Sequence, residues 1–362
     1  MKKKIIIFMP SIEGGGVEKN LFLVSNYLSE KVKDVNLITI SKKFKKKFSK
    51  SVKFITLSSN FWDNLSRRSK YLLALILLLK EILKDRNTIV FSFQANVYCI
   101  ILCKLFFIKV ISRSNSAPVG WSQNPFKRFI FKIILNLADK VMVNSYEFKK
   151  ELKKEFNVNS ICIYNPLNKE EIIRKSKKKL NKIFKTNNLK ILNIGRFTDQ
   201  KDQLTLLKAL NLLKNKIKFE AVIIGRGVLK EKLSNYIKVN KLQDFVKLKN
   251  FVDNPFPLIK QTDLFILSSK YEGLPNVLLE ALVLKKFIIS SNCSTGPKEI
   301  LLNGKGGYLY NVENYKQLTE KIVFYNENKK KSLKLLDHSY KCLKRFDFND
   351  NLFKYYKLVK SL

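Results

Sequence analysis

The sequence has little of what would mark a secreted, fibrous, metal-bound or membrane-spanning protein. Five cysteines in 362 residues, at unrelated spacings, make no disulfide framework. Cys99 and Cys103 stand four apart, but no other Cys or His is near in sequence, so they read as small core residues rather than metal ligands. Twelve Gly and eight Pro exclude a collagenous or low-complexity chain. There is one histidine, His338, and none of the twelve Asp lies two positions from another, so there is no D-x-D metal motif. The longest apolar run, Tyr71 to Leu79, has nine residues, well short of the ~20 that cross a bilayer. The start, Met1 to Lys4 and then Ile5 to Phe8, is stopped by Pro10, before the ~7–15 apolar residues of a secretory signal are reached. These absences predict a cytoplasmic location, free or peripheral on the inner face of the plasma membrane.

Acidic residues are scarce as well. There are 70 Lys+Arg against 29 Asp+Glu, a net charge of +41. Such a balance first suggests nucleic acid or an anionic membrane. The distribution argues against nucleic acid: residues 1–165 hold 30 basic and 11 acidic residues (+19), and residues 166–362 hold the remaining 40 and 18 (+22). A nucleic-acid protein concentrates its charge on one face or tail. Only 9 of the 70 basic residues are Arg, the residue that reads bases by paired hydrogen bonds. The excess reads as a Lys-rich surface, compatible with an anionic membrane.

What is present is a hydrophobic fraction of 46%, enough for real cores, and a length that suggests two domains. Short apolar runs at Ile5–Met9, Val35–Ile40, Phe54–Leu57, Thr88–Phe91, Lys109–Ser112, Val141–Asn144 and Ile161–Tyr164 read as strands, with helical patterns between several of them. One helix carries Phe126, Phe129, Ile130, Ile133, Ile134 and Leu137 at the spacing of a single face. Continuous apolar strands separated by helices indicate a parallel sheet covered on both sides. Asn165, Pro166 and the polar, Lys-rich stretch 168–190 interrupt this pattern and read as an inter-domain connection. Strands resume at Lys190–Gly195, Glu220–Gly225, Val246–Leu248, Asp263–Ser268 and Lys286–Ser290. The expected fold class is α/β with two parallel-sheet domains facing across a cleft, where ligands bind.

Three segments carry chemistry. In the first, the strand ending at Ser268 is followed by Tyr271, Glu272, Gly273, Leu274, Pro275, Asn276 and Val277, then a helix containing Glu280. Pro is tolerated in a first helical turn, and the free amides there make an anion site. Glu272 just before the helix and Glu280 just over one turn inside can serve a sugar and a ribose. The plainer alternative is a capped core helix with two incidental carboxylates. In the second, Gly195 ends a strand, and Arg196 and Lys201 flank the next helix. Two cations at a helix N-terminus suit a diphosphate. In the third, Gly14, Gly15 and Gly16 precede Glu18 after the first strand. This run departs from the G-x-G-x-x-G fingerprint, and its value lies in its place at a strand's carboxyl end.

Together these segments resemble glycosyltransferase family 4, the group 1 glycosyl transferases with the GT-B fold. The stretches 251–255 and 293–301 are similar to a subgroup common in bacterial surface-polysaccharide and lipid-linked-saccharide assembly. The resemblance implies an acceptor-binding Rossmann-like domain at 1–167, a nucleotide-sugar-binding one at 168–345, and a C-terminal helix at about 346–362 that crosses back to the first. It implies a retaining, metal-independent hexosyltransferase without a cofactor. Such an enzyme would move a hexose or N-acetylhexosamine from a UDP-sugar to a saccharide on a polyprenyl diphosphate, in polysaccharide, lipopolysaccharide or capsule biosynthesis. In it Glu272 would support charge at the anomeric carbon, and Arg196 and Lys201 would neutralise the departing diphosphate. Glu280 would bind the ribose. Gly15, Gly16, Gly195, Gly225, Gly273, Leu274, Pro275, Asn276 and Val277 would line the donor. Arg226 and Asn250 stand where relatives carry other residues, and Asn115 is the candidate substitute for the family's sugar-contacting His. The rival functions are a GT-B sugar-nucleotide epimerase and a catalytically silent basic binding protein. Two segments are candidates for an anionic membrane surface: Lys42–Lys50, with Phe44 and Phe48, and the helix at 126–137, with Lys127, Arg128 and Lys132. The alternatives are a solvated loop and a core helix.

Overall fold

In the computed structural model, which describes residues 4–121 and 124–362, the Ile- and Val-rich runs become parallel strands in two units. The first unit comprises Met1–Pro166 and Phe346–Leu362. Its strands are β1 (Lys4–Phe8), β2 (Val35–Ile38), β3 (Val52–Ile55), β4 (Thr88–Ser92), β5 (Lys109–Arg113), β6 (Lys140–Val143) and β7 (Ser160–Cys162). They lie in the order β3-β2-β1-β4-β5-β6-β7. Alternate side chains of a strand point to opposite faces, and β1 obeys this. Ile5 and Ile7 enter one core with helix α1 (Gly16–Lys31), while Ile6 and Phe8 enter the other. That second core lies under α2 (Arg67–Lys84), α3 (Asn96–Leu105), α4 (Pro125–Leu137) and α5 (Tyr146–Phe156). Side chains cap several of these helices: Ser66, Asn124 and Ser145 accept from amides three residues on, worth ~1 kcal/mol each.

The second unit, Leu167–Arg345, holds six parallel strands. These are β8 (Leu189–Ile194), β9 (Phe219–Gly225), β10 (Val246–Asn250), β11 (Leu264–Leu267), β12 (Phe287–Ser291) and β13 (Tyr308–Tyr310), in the order β10-β9-β8-β11-β12-β13. Its helices are α6 (Lys169–Ser176), α7 (Gln203–Leu213), α8 (Lys230–Val239), α9 (Phe256–Lys260), α10 (Asn276–Val283), α11 (Pro297–Ile300), α12 (Tyr315–Glu327) and α13 (Lys329–Lys341). The last helix, α14 (Phe348–Lys360), returns to the first unit. There Leu352, Tyr355, Leu358 and Val359 are buried in the core beside α1. In both sheets the strand order reverses beside the first strand, at β1/β4 and at β8/β11. Ligands of open α/β sheets bind at such points.

Four expectations change. All twelve expected strands form, but β13 was not foreseen: it has three residues, too few to show a period. Residues 168–190 are not a linker. Asn168 caps α6, and Ile172, Ile183 and Phe184 are buried, so this Lys-rich stretch is part of the second unit. Phe44 and Phe48 of the basic segment turn inward. Their rings pack on Phe22 at 6.1 and 4.9 Å, leaving Phe48 buried and Phe44 half-buried, while Lys43, Lys45, Lys46, Lys47 and Lys50 are exposed. The stripe on α4 divides: Ile134 is buried, Ile130 is half-buried, and Phe126, Phe129, Ile133 and Leu137 are exposed. Among the described residues no helix is long and apolar enough to cross a membrane.

Candidate active site

The β8/β11 point of the second unit is where two of the sequence candidates, Lys201 and Glu272, meet. Strand β8 ends at Ile194, and Gly195 continues it by donating to the Ile224 carbonyl at 3.0 Å. Arg196 is exposed, and among the described residues its guanidinium has no hydrogen-bond or ion-pair partner. Phe197 is buried, and its amide donates to the Arg226 carbonyl at 2.8 Å. The chain then makes a short 3₁₀ turn over Asp199–Lys201, and Asp202 caps α7 through the Thr205 amide at 3.2 Å. Burial pushes the Asp202 carboxyl pKa up.

Across the switch point, the loop after β11 is stitched to this turn. The Ser268 hydroxyl donates to the Lys201 carbonyl (2.9 Å), and the Lys270 amide donates to the Gln200 carbonyl (2.8 Å). The Gln200 side chain donates to the Tyr271 carbonyl (3.0 Å). Lys270 also pairs with Asp199 at 3.0 Å and Glu313 at 2.9 Å, and these partners, Glu313 first, raise its pKa.

These bonds bring two candidates that lie 71 residues apart into direct contact. The Lys201 ammonium meets Glu272 Oε1 at 2.5 Å. The carboxylate is buried and takes a second bond from the Ser269 hydroxyl at 2.6 Å. The Thr295 hydroxyl holds the Glu272 carbonyl at 2.6 Å, and the Ser291 hydroxyl holds the Ser269 carbonyl at 2.6 Å. Glu272 is thus fixed at both its side chain and its backbone. Buried Cys293 lies close, and burial first and Glu272 second raise its thiol pKa.

Pro275 is the N-cap of α10 and offers no capping side chain, so Asn276 and Val277 open the helix at the loop's end. Glu280, buried, lies one turn inside. Gly273 and Leu274 are buried in the loop itself. Two glycines owe their presence to close backbone approach. A Cβ on Gly225 would stand 2.0 Å from the Gly195 carbonyl oxygen. One on Gly296, whose φ is +86°, would stand 2.1 Å from that of Gly273. The structure therefore gives Gly225 a packing reason, the approach of β9 to the Gly195–Phe197 turn. Arg226 lies over the Phe251 ring at 4.6 Å, and Asn250 accepts from Lys230 at 2.9 Å.

The remaining candidates belong to the first unit. Glu18 closes the glycine-rich loop on itself: its carboxylate accepts from the Glu13 amide at 3.2 Å and the Gly15 amide at 2.9 Å. The Gly15 amide is therefore already engaged by an internal anion, and Gly16 starts α1. Asn115 is likewise engaged. Its Oδ1 accepts from Arg113, and its Nδ2 donates to the Phe93 carbonyl at 2.8 Å. That carboxamide braces the end of β5. Arg113 is fully buried, also donates to Asn165 (2.8 Å), and lies over the Phe93 ring at 5.1 Å. His338 is exposed on α13. Sequence reasoning missed Ser269, Ser291 and Thr295. Small hydroxyls scattered over 27 positions give no spacing signal, and only the fold gathers them.

The family model "Glycosyl transferases group 1" matches residues 168–341. An uncharacterized glycosyltransferase of Methanocaldococcus jannaschii is 33% identical over 222 residues, covering 56% of this chain and 53% of that protein. A Campylobacter jejuni protein is 27% identical over 326 residues, covering 86% of this chain and 87% of its own length. It is named N-acetylgalactosamine-N,N'-diacetylbacillosaminyl-diphospho-undecaprenol 4-alpha-N-acetylgalactosaminyltransferase. Among solved structures, Anabaena HepE in complex with UDP superposes with a TM-score of 0.78 at 17% identity, covering 99% of this chain and 100% of that one. Sucrose-phosphate synthase of Thermosynechococcus elongatus gives a TM-score of 0.83 at 14% identity, covering 99% of both. At those identities the structures speak for the fold, which is GT-B. Residues 168–341, nearly the whole second unit, thus match the group 1 glycosyl transferases, and the chain shares the GT-B fold with the solved structures.

Proposed function

We propose that this chain transfers a hexose or N-acetylhexosamine from a UDP-sugar to a saccharide carried on a polyprenyl diphosphate, with retention of anomeric configuration and without a metal. The Lys201–Glu272 contact beside Arg196 carries the reading. It sets one buried carboxylate and two cations at the carboxyl ends of β8 and β11, beside the start of α10. A departing diphosphate needs positive charge fixed in advance where its negative charge develops. Arg196, Lys201 and the first amides of α10 supply it. Glu272, held by Lys201 and Ser269, keeps its orientation while supporting the charge at the anomeric carbon. Glu280, eight residues on, takes the ribose hydroxyls.

The acceptor class rests on the relatives. Two Campylobacter jejuni relatives matching along most of their length carry undecaprenol diphosphate-linked acceptors in their names. UDP rests on the neighbours solved with it. The test is a nucleotide-release assay on the purified chain with a panel of UDP- and GDP-sugars and short polyprenyl-diphosphate saccharides. UDP release that depends on the acceptor, with an α-linked product by NMR, is expected. No release with any donor, or a β-linked product from an α-donor, would overturn the reading.

A further inference from the structure

We infer that Lys270 and Glu313 are positioning residues, a clamp that holds Lys201 and Glu272 in place for transfer and so rests on the transfer role of that pair. The Lys270 ammonium is shared between two carboxylates, Asp199 at 3.0 Å and Glu313 at 2.9 Å. Neither carboxylate has another ion-pair partner among the described residues. The three side chains come from three loops at the carboxyl end of the second sheet. Asp199 opens the 3₁₀ turn that carries Lys201. Lys270 follows Ser269, whose hydroxyl holds the Glu272 carboxylate. Glu313 lies between β13 and α12. Backbone bonding of Lys270 to Gln200 at 2.8 Å brings the first two loops together. The shared ammonium then ties both sides of the Lys201–Glu272 contact to the third. With Lys270 engaged in this way, Glu272 keeps Lys201 as its ion-pair partner.

The backbone at Glu313 shows that the clamp has a use beyond the turn it closes. Its φ is +63°, a conformation that costs a side chain energy and glycine almost none. The Glu313 side chain is 60% exposed, so burial returns little of that cost. Elsewhere the chain meets positive φ with Gly14, Gly227, Gly296 and Gly304. A glycine at 313 would make the same turn without strain, so the turn does not account for a glutamate; the pair with Lys270 does. Ion pairs this solvated add little to stability. Strain that stability does not repay persists where the geometry it holds is used, and here that geometry is the meeting of the β8 and β11 loops.

One arm of the test needs no substrate. Hydrogen exchange is followed by mass spectrometry on the full chain, in peptides spanning 195–203 and 268–275. In K270M and E313G, exchange there should rise at least ~tenfold while the first unit is unchanged. K270R, which keeps a cation for both carboxylates, should exchange like the parent. E313G should melt no more than about 1 °C below the parent, because glycine removes the strain together with the pair. In transfer, K270M and E313G should each lose at least ~tenfold in kcat with KM for the donor within about twofold, and K270R should recover most of the rate. A contact that served only the fold would lower the melting temperature and leave kcat alone. Unchanged exchange in both peptides of K270M and E313G, or a parental kcat in both, would overturn the clamp. Raised exchange in the variants of a parent that transfers from no donor would support the clamp and overturn the transfer reading alone.

Discussion

Replacing Gly225 with alanine places a Cβ where backbone already stands. The new atom would lie 2.0 Å from the Gly195 carbonyl oxygen and 2.7 Å from the Phe197 ring. Real contacts of this kind begin near 3.0 Å, so one side must retreat by about 1 Å in a core packed as densely as a crystal. Neither is free to do so. The Gly195 amide is bonded to Ile224, the Phe197 amide to Arg226, and the Leu229 amide to the Phe197 carbonyl at 3.1 Å. Overpacking costs ~1–3 kcal/mol, and a clash with fixed backbone belongs at the upper end. At roughly 2–4 °C per kcal/mol for a unit of this size, G225A should melt roughly 6–12 °C lower. Arg196 sits between the two displaced residues, so UDP affinity should fall by about tenfold, one bond's worth. Calorimetric melting and titration with UDP give both numbers. A melting point within about 1 °C of the parent, with UDP affinity unchanged, would refute the claim that Gly225 is dictated by close approach.

Other predictions follow from the same loop. E272Q keeps an acceptor for Ser269 but leaves Lys201 without its counter-charge. Transfer should fall at least ~100-fold, with a stability loss of about 1–2 kcal/mol, since the pair is not wholly buried; half-maximal activity retained would sink the role of Glu272. D202N should keep the cap on α7 and remove a charge that burial disfavours. The native carboxyl's pKa is raised, so the native state holds its proton to higher pH than the unfolded chain, and ionisation weakens the fold as pH rises. D202N should therefore melt higher than the parent at pH 7, with the gap closing below about pH 3.8; a gap that widens in acid would contradict this. Transfer should persist in excess EDTA. Loss in the chelator with recovery on adding Mg²⁺ or Mn²⁺ would refute the cation-only account of the leaving group.

The strands were legible because each is a short apolar run closed by a turn, and parallel strands buried on both faces keep that signature. Tyr308–Tyr310 was not, being three residues of mixed exposure. Residues 168–190 misled because Ile172, Ile183 and Phe184 are sparse apolar anchors in a Lys-rich background, and composition averages them away. Periodicity found α4 and its stripe but could not say what covers it. At the site, Arg196, Lys201, Glu272 and Glu280 were visible from residue type beside a strand end. Their grouping was not, because Lys201 and Glu272 meet only when β8 and β11 pair. The internal partners of Gly15 and Asn115 were not visible either: Glu18 and Arg113 reach them only through the fold of the first unit.

The divided first unit sets an order of synthesis. Every residue of the second unit is made before α14, so the second sheet can fold while the first still lacks its last helix. Until Leu352, Tyr355, Leu358 and Val359 arrive, α1 and one face of the first sheet have a hole the length of α14 in their cover. During that interval an apolar sheet face is open to water, the condition in which nascent chains associate or recruit chaperones. Removing residues 346–362 should make that state permanent, and the protein should be lost to aggregation although every candidate site residue is still present.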